Sequence, residues 1–106
     1  MRRIPPALAA EATSRILELL GEPPGHVLEL GFAGIHAVPL RLAGFEVTVV
    51  EPEDAGSALA RAGDPVYRDV PPRRYRAVLA PEGTDLTGIR AEGRFIVRMD
   101  GTVVVD

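Results

Sequence analysis

The residues with the clearest chemical potential are two glycines and an acid. Gly31 and Gly34 follow a short apolar run, and glycine lets a backbone turn sharply and approach a ligand closely. Glu51 stands twenty residues after Gly31, at the end of a β-branched run. A glycine turn between a strand and a helix, with an acid about twenty residues further on, is typical of nucleotide-binding units. There the helix N-terminus faces an anionic ligand group, and the acid accepts hydrogen bonds from ribose hydroxyls.

The elements that must position these residues are predicted by the pattern around them. Residues 27–30 form a short, mostly apolar run, as expected of a strand that is buried on both faces. Residues 37–43 are largely apolar and are followed by Gly44, which predicts a helix and its C-terminal end. Residues 45–50 are rich in β-branched side chains and predict the second strand.

Pro39 leaves two alternatives open for the helix of this unit. Proline in a helix interior costs about 3 kcal/mol or more, but it costs little in the first turn. In one alternative the helix begins near Ala37 or Val38 and residues 32–36 form a long loop. In the other the helix begins at Gly34 and is kinked.

Outside this unit the pattern predicts two more helices and several strands. Apolar residues at helical spacing predict helices over residues 7–20 and 53–62. Residues 66–68 predict a short edge strand because a proline precedes them, and residues 75–80 predict a further strand. Thr84 or Asp85 can cap a brief helical turn over residues 86–90.

The end of the chain predicts a β-hairpin. Residues 94–99 and 102–105 read as strands, and Asp100-Gly101 between them fits a two-residue type I′ turn. The last strand is apolar and carries little charge, so its outer edge needs cover. We therefore expect a homodimer, with a symmetric partner chain at this edge.

Composition excludes several classes of protein. A chain of 106 residues with 46% hydrophobic residues fits one globular domain. The net charge of -3 is against a nucleic-acid partner, and no apolar run approaches the length of a membrane span. Without cysteine there is neither a disulfide nor a thiolate metal site. We expect a cytoplasmic protein. The absence of the thermolabile residues Asn, Gln and Cys, together with ten prolines, is compatible with a thermophile.

Between about residue 19 and residue 80, the chain resembles the S-adenosylmethionine-dependent methyltransferases. Residues 20–31 resemble the approach to the first motif of that family, acid-x-Gly-x-Gly-x-Gly. Glu51 matches the acid that binds the ribose at the end of the second strand. Residues 67–71, followed by residues 75–80, are similar to the third strand, the acid on the adenine side and the fourth strand.

The resemblance implies a fold, a ligand and a set of site residues. The implied fold is a minimal α/β domain over residues 1–106, a three-layer Rossmann-like methyltransferase fold whose mainly parallel sheet ends in an antiparallel C-terminal hairpin. The implied small-molecule ligand is S-adenosylmethionine or its demethylated product, S-adenosylhomocysteine. Glu29 would approach the methionine amino group, and Asp69 would lie by the adenine. The predicted cofactor-binding residues are Glu29, Gly31, Phe32, Ala33, Gly34, Glu51 and Asp69.

The chain departs from the family pattern at three places. Ala33 and Ile35 stand where the motif has its second and third glycines. A β-branched residue such as Ile35 can crowd a cofactor that lies across the turn. After the fourth strand the chain has residues 80–83, Ala-Pro-Glu-Gly, where amino-group methyltransferases often have Asp/Asn-Pro-Pro-aromatic. The sequence therefore predicts no complete substrate site and no catalytic residue.

Two other functions stay open at this point. The fold can act as a non-catalytic interaction or regulatory module. It can also bind a dinucleotide (NAD or FAD), because residues 31–51 resemble that fingerprint too. In that alignment Glu29 takes the place of the first glycine. This would set a carboxylate beside a pyrophosphate, and the repulsion between the two negative groups is unfavourable for dinucleotide binding.

The remaining polar residues suggest less chemistry. His36 lies in the glycine loop without an evident partner, and His26 lies at a turn, so neither predicts catalysis or a metal site. Arg73, Arg74 and Arg76 form a cluster that, in an acidic chain, predicts a solvated face.

Overall fold

A computed structural model describes residues 6–32, 34–50, 66–67 and 69–105. Two helices and six strands follow one another in these ranges. In chain order they are α1 (Pro6–Leu20), β1 (His26–Leu30), α2 (Ala37–Leu42), β2 (Glu46–Val50), β3 (Val66–Tyr67), β4 (Arg74–Pro81), β5 (Arg90–Val97) and β6 (Val103–Val105). Of the edge strand predicted over residues 66–68, β3 confirms residues 66–67, and residue 68 lies outside the described residues. The predicted helix over 53–62 also lies outside them.

The strands form one six-stranded sheet in the order β3-β2-β1-β4-β5-β6. β1 pairs in parallel with β2 on one side and with β4 on the other. β3 extends the sheet in parallel from β2, and β5 does so from β4. The β5–β6 pair is antiparallel. The fold is therefore α/β with a mostly parallel sheet and an antiparallel C-terminal pair, and the predicted central position of β1 is confirmed.

Both described helices pack on the same face of the sheet. Ala12, Ile16 and Leu20 of α1 are buried in one apolar cluster with Leu40 of α2. These α1 positions recur every four residues, so one helical stripe is enough to cover the strands. No helix among the described residues is long and apolar enough to cross a membrane.

The opposite face has its own apolar cluster, centred on Leu28 of β1 and Val78 of β4. Within the described ranges, residues of connecting segments cover this face, including Val70, Leu86 and Ile89. The helical turn predicted over residues 86–90 is wrong: the Ile89 amide donates to the Leu86 carbonyl at 3.2 Å in a single tight turn, and Arg90 already begins β5. A helical layer on this face, as a three-layer domain requires, is therefore not part of the described structure.

The structure decides between the two alternatives for Pro39. α2 begins at Ala37, so Pro39 stands in the first turn, where its missing amide hydrogen breaks no helical bond. Residues 32–36 form the longer loop of the first alternative. The helix has only six residues and ends before Gly44, whose φ of 105° suits glycine.

The predicted two-residue turn of the terminal hairpin is wrong. The last strand pair joins Val97 to Val103, which leaves residues 98–102 as a five-residue connection. The Gly101 amide donates to the Arg98 carbonyl at 3.0 Å, and Gly101 has a φ of 86°. Asp100 accepts hydrogen bonds from the amide and the hydroxyl of Thr102 instead of entering a type I′ turn. This local side-chain bond competes with strand pairing and lengthens the loop.

Candidate functional site

The glycine loop, defined as residues 31–36, lies at the carboxyl edge of the sheet. β1, β2 and β4 run in parallel, so their last residues Leu30, Val50 and Pro81 end on the same side. The Gly31 amide donates to the Val50 carbonyl at 3.1 Å and fixes the start of the loop against the end of β2.

Both motif glycines have the backbone conformation for which glycine was predicted. The φ angles are 74° for Gly31 and 82° for Gly34, a region that side chains with a Cβ rarely adopt. A Cβ on Gly31 would lie 3.3 Å from the Pro81 ring, so a larger residue would also crowd the end of β4. The turn therefore depends on glycine for conformation at both positions and for space at Gly31.

The buried carboxyl group of Glu29 fixes the end of the glycine loop. Glu29 is fully buried in β1, and its Oε1 accepts a hydrogen bond of 2.8 Å from the His36 amide. This bond ties the last residue of the loop to the strand that precedes it. Glu29 therefore holds the loop by its main chain, whatever contact it makes with a ligand.

His36 joins the loop to α1. Its Nδ1 lies 2.6 Å from the hydroxyl oxygen of Thr13, and its ring meets Phe32 edge-on at 4.9 Å between centroids. The ring is fully buried, and its Nε2 has no hydrogen-bond partner among the described residues. Burial disfavours the charged form and lowers the pKa of His36 from 6.5 to about 4. A neutral, enclosed imidazole packs and positions the loop and is poorly placed to exchange protons with solvent.

The sequence missed the contribution of α1 to this loop. Thr13 belongs to the helix predicted over residues 7–20 and is not among the predicted site residues, yet it is buried and contacts His36. The available signal was weak: a hydroxyl at position 13 next to the apolar stripe that includes Ala12 and Ile16. Because 23 residues separate Thr13 from His36, only tertiary packing brings the two together.

Several backbone amides in and directly after the loop already donate hydrogen bonds within the protein. The Ile35 amide donates to the Phe32 carbonyl at 3.1 Å, and the Ala37 amide donates to the Gly34 carbonyl at 3.0 Å. The His36 amide is held by Glu29. α2 has six residues, so the helix N-terminus expected to face an anionic group is a short one with few aligned dipoles. These amides are therefore not available to bind a phosphate group.

The predicted site residues fall into three groups. Glu29, Gly31, Phe32 and Gly34 come together at the carboxyl end of β1, with Phe32 buried and Gly31 exposed. Asp69 is exposed in a bend after β3. Ala33 and Glu51 lie outside the described residues. Ile35, the residue expected to crowd a ligand, is 38% exposed at the surface of the loop.

One of the arginines assigned to a solvated face has a structural role. Arg76 donates to the carbonyls of Leu20, Glu22 and Pro24, the last two at 2.7 Å, and its guanidinium carbon lies 5.5 Å above the Phe45 ring centroid. It therefore ties the end of α1 to the turn before β1. For Arg76 the sequence prediction is wrong, because a charge pattern cannot show which carbonyl groups a fold leaves unpaired.

Comparison with known proteins gives no family for this chain. A scan against protein-family models finds no match, and a search of curated proteins finds no significant relative. The described residues contain no group of three His, Asp or Glu side chains that could hold a metal ion. The arguments for function therefore depend on the geometry of the glycine loop and on the sequence motifs around it.

Proposed function

We propose that this chain is a Rossmann-like, methyltransferase-like domain that binds an adenosyl ligand at the glycine loop. The proposed ligand is S-adenosylmethionine or S-adenosylhomocysteine. The observation that carries the proposal is the position of this loop, with positive φ at Gly31 and Gly34, at the carboxyl end of the central strand β1. In open α/β sheets, ligands bind outside the carboxyl ends of the strands where the strand order reverses.

The strand order supports this location. From β1 the chain moves outward through β2 to β3, and it then returns to form β4 on the other side of β1. The connections after β1 and β4 consequently cover opposite faces of the sheet, which is the arrangement at which ligands bind in open α/β sheets. Gly31 directly follows β1 and Pro81 ends β4, so these two residues lie next to each other at this point of the sheet.

The loop geometry favours an adenosyl ligand over a dinucleotide. A pyrophosphate needs free backbone amides and small residues around it. Here the amides of Ile35, His36 and Ala37 donate within the protein. The acceptor for the His36 amide is the carboxyl group of Glu29, so an acid lies next to the loop. S-adenosylmethionine carries no phosphate and has a cationic sulfonium and an ammonium group, which are compatible with nearby carboxylates.

In this proposal three acids contact or position the ligand. Glu51, which follows β2, accepts hydrogen bonds from the ribose hydroxyls, and Asp69 lies near the adenine. Glu29 orders the loop through the His36 amide and sets the charge near the methionine end. Methyl transfer depends chiefly on holding a nucleophile in line with the sulfonium, so a general base is not required. The acceptor and the extent of catalysis are separate questions from ligand binding.

Calorimetric titration of S-adenosylmethionine and S-adenosylhomocysteine tests the proposal. We expect one site per chain, and we expect Glu51→Ala to weaken binding about tenfold or more through loss of charged hydrogen bonds. Glu46→Ala is the matched control, since this exposed acid lies at the opposite end of the same strand β2. Absence of binding to the wild-type protein, or equal affinity in both variants, would reject the adenosyl site.

A second candidate function is that of a non-catalytic interaction module. It is favoured by the exposed edge of the sheet: β6 is the last strand, and Val104 and Val105 are 37% and 53% exposed. An apolar, uncharged edge strand readily pairs with another chain. A second copy of this chain is the simplest partner, and such a homodimer would be compatible with adenosyl binding at the carboxyl edge.

A further inference from the structure

A second cleft lies at the amino ends of β4 and β5, opposite the glycine loop. It has a volume of about 610 Å³. We name it the arginine cleft, after Arg73, Arg74 and Arg90, which line it together with Pro71, Pro72 and Ile89. β4 has eight residues, so roughly 25 Å of strand separates this cleft from the carboxyl edge. The two sites therefore cannot share one small ligand.

The three arginines lie close together, although their positive charges repel one another. Arg74 and Arg90 are direct neighbours in the parallel register of β4 and β5, and both are exposed. Like charges at adjacent positions of two strands destabilise a sheet. Arg73 adds a third positive charge next to this pair, in a chain whose net charge is -3.

No carboxylate among the described residues forms an ion pair with any of these three arginines. Other arginines of the chain do have such partners: Arg15 pairs with Glu18 at 3.0 Å, and Arg98 pairs with Glu82 at 3.4 Å. Asp85 also lines the arginine cleft, but its Oδ1 accepts a hydrogen bond of 3.0 Å from the Thr87 amide. The cleft thus collects three guanidinium groups and one carboxylate, Asp85, so its lining carries a net positive charge.

The walls of the arginine cleft are fixed by hydrogen bonds. The buried Tyr75 donates its hydroxyl to the Pro71 carbonyl at 2.7 Å, and the Arg73 guanidinium carbon lies 5.9 Å from the centroid of its ring. On the other side, the Asp85–Thr87 bond closes a turn. A cleft whose walls are already ordered binds a ligand at a smaller entropic cost.

We propose that the arginine cleft binds a small molecule that carries a diphosphate group. Guanidinium groups match phosphate oxygens through paired N–H donors, and adjacent arginines can each hold one phosphate. The volume falls within the range of small-molecule sites, about 300–1,000 Å³. Pro72 and Ile89 provide an apolar wall for the organic part of such a ligand. The adenosyl ligand of the glycine loop has no phosphate, so the two proposals stand or fall separately.

Calorimetric titration with inorganic pyrophosphate at low ionic strength tests this proposal. We expect saturable binding with one site per chain, and stronger binding of adenosine diphosphate than of pyrophosphate if the apolar wall contributes. Arg74→Gln and Arg90→Gln should each weaken pyrophosphate binding about tenfold or more. Arg74→Lys keeps the charge but loses the paired donors, so its loss should be intermediate. Arg74 and Arg90 are the exposed first residues of β4 and β5, and circular dichroism checks that each variant is folded.

Arg15→Gln is the matched control, because Arg15 is an equally exposed arginine on α1 that lines no part of the cleft. Its affinity for pyrophosphate should equal that of the wild-type protein. Equal losses in the Arg15 and Arg74 variants would mean diffuse attraction by net charge and would overturn the proposal. So would absence of saturable binding. Tighter binding of a short oligothymidylate than of either diphosphate would replace the small ligand by a nucleic-acid strand and overturn it as well.

Discussion

The buried His36 ring should make the stability of the fold depend on pH. Burial lowers its pKa to about 4, whereas the exposed imidazole of the unfolded chain keeps a value of 6.5. Between these values the unfolded state binds a proton that the folded state does not. The free energy of unfolding therefore has its full value above about pH 6.5 and decreases progressively as the pH falls towards 4.

The size of this loss follows from the two pKa values. One pKa unit corresponds to about 1.4 kcal/mol of differential interaction. At pH 5 the unfolded chain is largely protonated and the folded protein is not, which lowers the free energy of unfolding by about 2 kcal/mol. Over the whole interval the loss approaches about 3.4 kcal/mol. For a domain with a typical stability of about 5–15 kcal/mol this is a large fraction.

Urea unfolding of the wild-type protein and of His36→Asn between pH 7.5 and pH 5 measures the effect. Asparagine can keep a polar contact with Thr13 but does not titrate, so the decline in stability over this range should disappear. His26→Asn is the control: it removes the other histidine and leaves His36 in place, so the decline should remain. The measured quantity is the slope with pH, because His36→Asn also changes stability at neutral pH by altering packing.

A flat profile for the wild-type protein would refute this reasoning. It would mean that the folded protein accepts the proton on His36 in spite of its burial. An equal slope in wild type and His36→Asn would also refute it and would assign the effect to other groups. The comparison stops at pH 5 because hydrogen bonds lower the pKa values of the exposed Asp85 and Asp100 below 3.8, so both titrate at lower pH.

Two further predictions concern stability and assembly. Arg76→Ala should lower the free energy of unfolding, measured with urea, by about 2–4 kcal/mol, because three carbonyl groups lose a charged donor. The control Arg73→Ala should change it by less than about 0.5 kcal/mol. Equal effects of the two substitutions would contradict the structural role inferred for Arg76, which connects the end of α1 to the turn before β1. Deleting residues 102–106 should destabilise the fold, because Val103 packs on the core, and should convert a dimer into a monomer by light scattering. Val105→Lys should abolish association and leave the fold intact, and a wild-type protein that is monomeric at all concentrations would disprove the dimer.

The sequence predicted the elements that depend on short-range rules. The apolar run at residues 27–30 predicted a central strand, and the structure places β1 between two parallel neighbours. Gly31 and Gly34 were predicted where the backbone needs positive φ. The position of Pro39 limited the start of α2 to two alternatives, of which one is correct. In each case the conformation is limited by the chemistry of one residue, such as glycine or proline, or by the pattern of a short run of residues.

The errors arose where a side chain finds its partner through the fold. Asp100 bonds to Thr102 and lengthens the hairpin loop, a competition that the dipeptide Asp-Gly alone does not reveal. Arg76 bonds to carbonyl groups that are more than fifty residues away along the chain. Thr13 and His36 meet only because α1 packs over the glycine loop. Such pairings depend on tertiary geometry, which no local pattern contains.

The same tertiary pairings connect the candidate site to the stability of the domain. The glycine loop is held on one side by Glu29 from β1 and on the other by Thr13 from α1, both through His36. A ligand that binds this loop therefore meets a backbone that is already ordered, and little of its binding energy is spent on ordering it. Protonation of His36 would disturb both attachments at once, because the charged ring is unfavourable in its buried position. Folded His36 binds the proton only near its lowered pKa of about 4, so the folded protein should keep its adenosyl affinity at pH 5, where its stability has already declined.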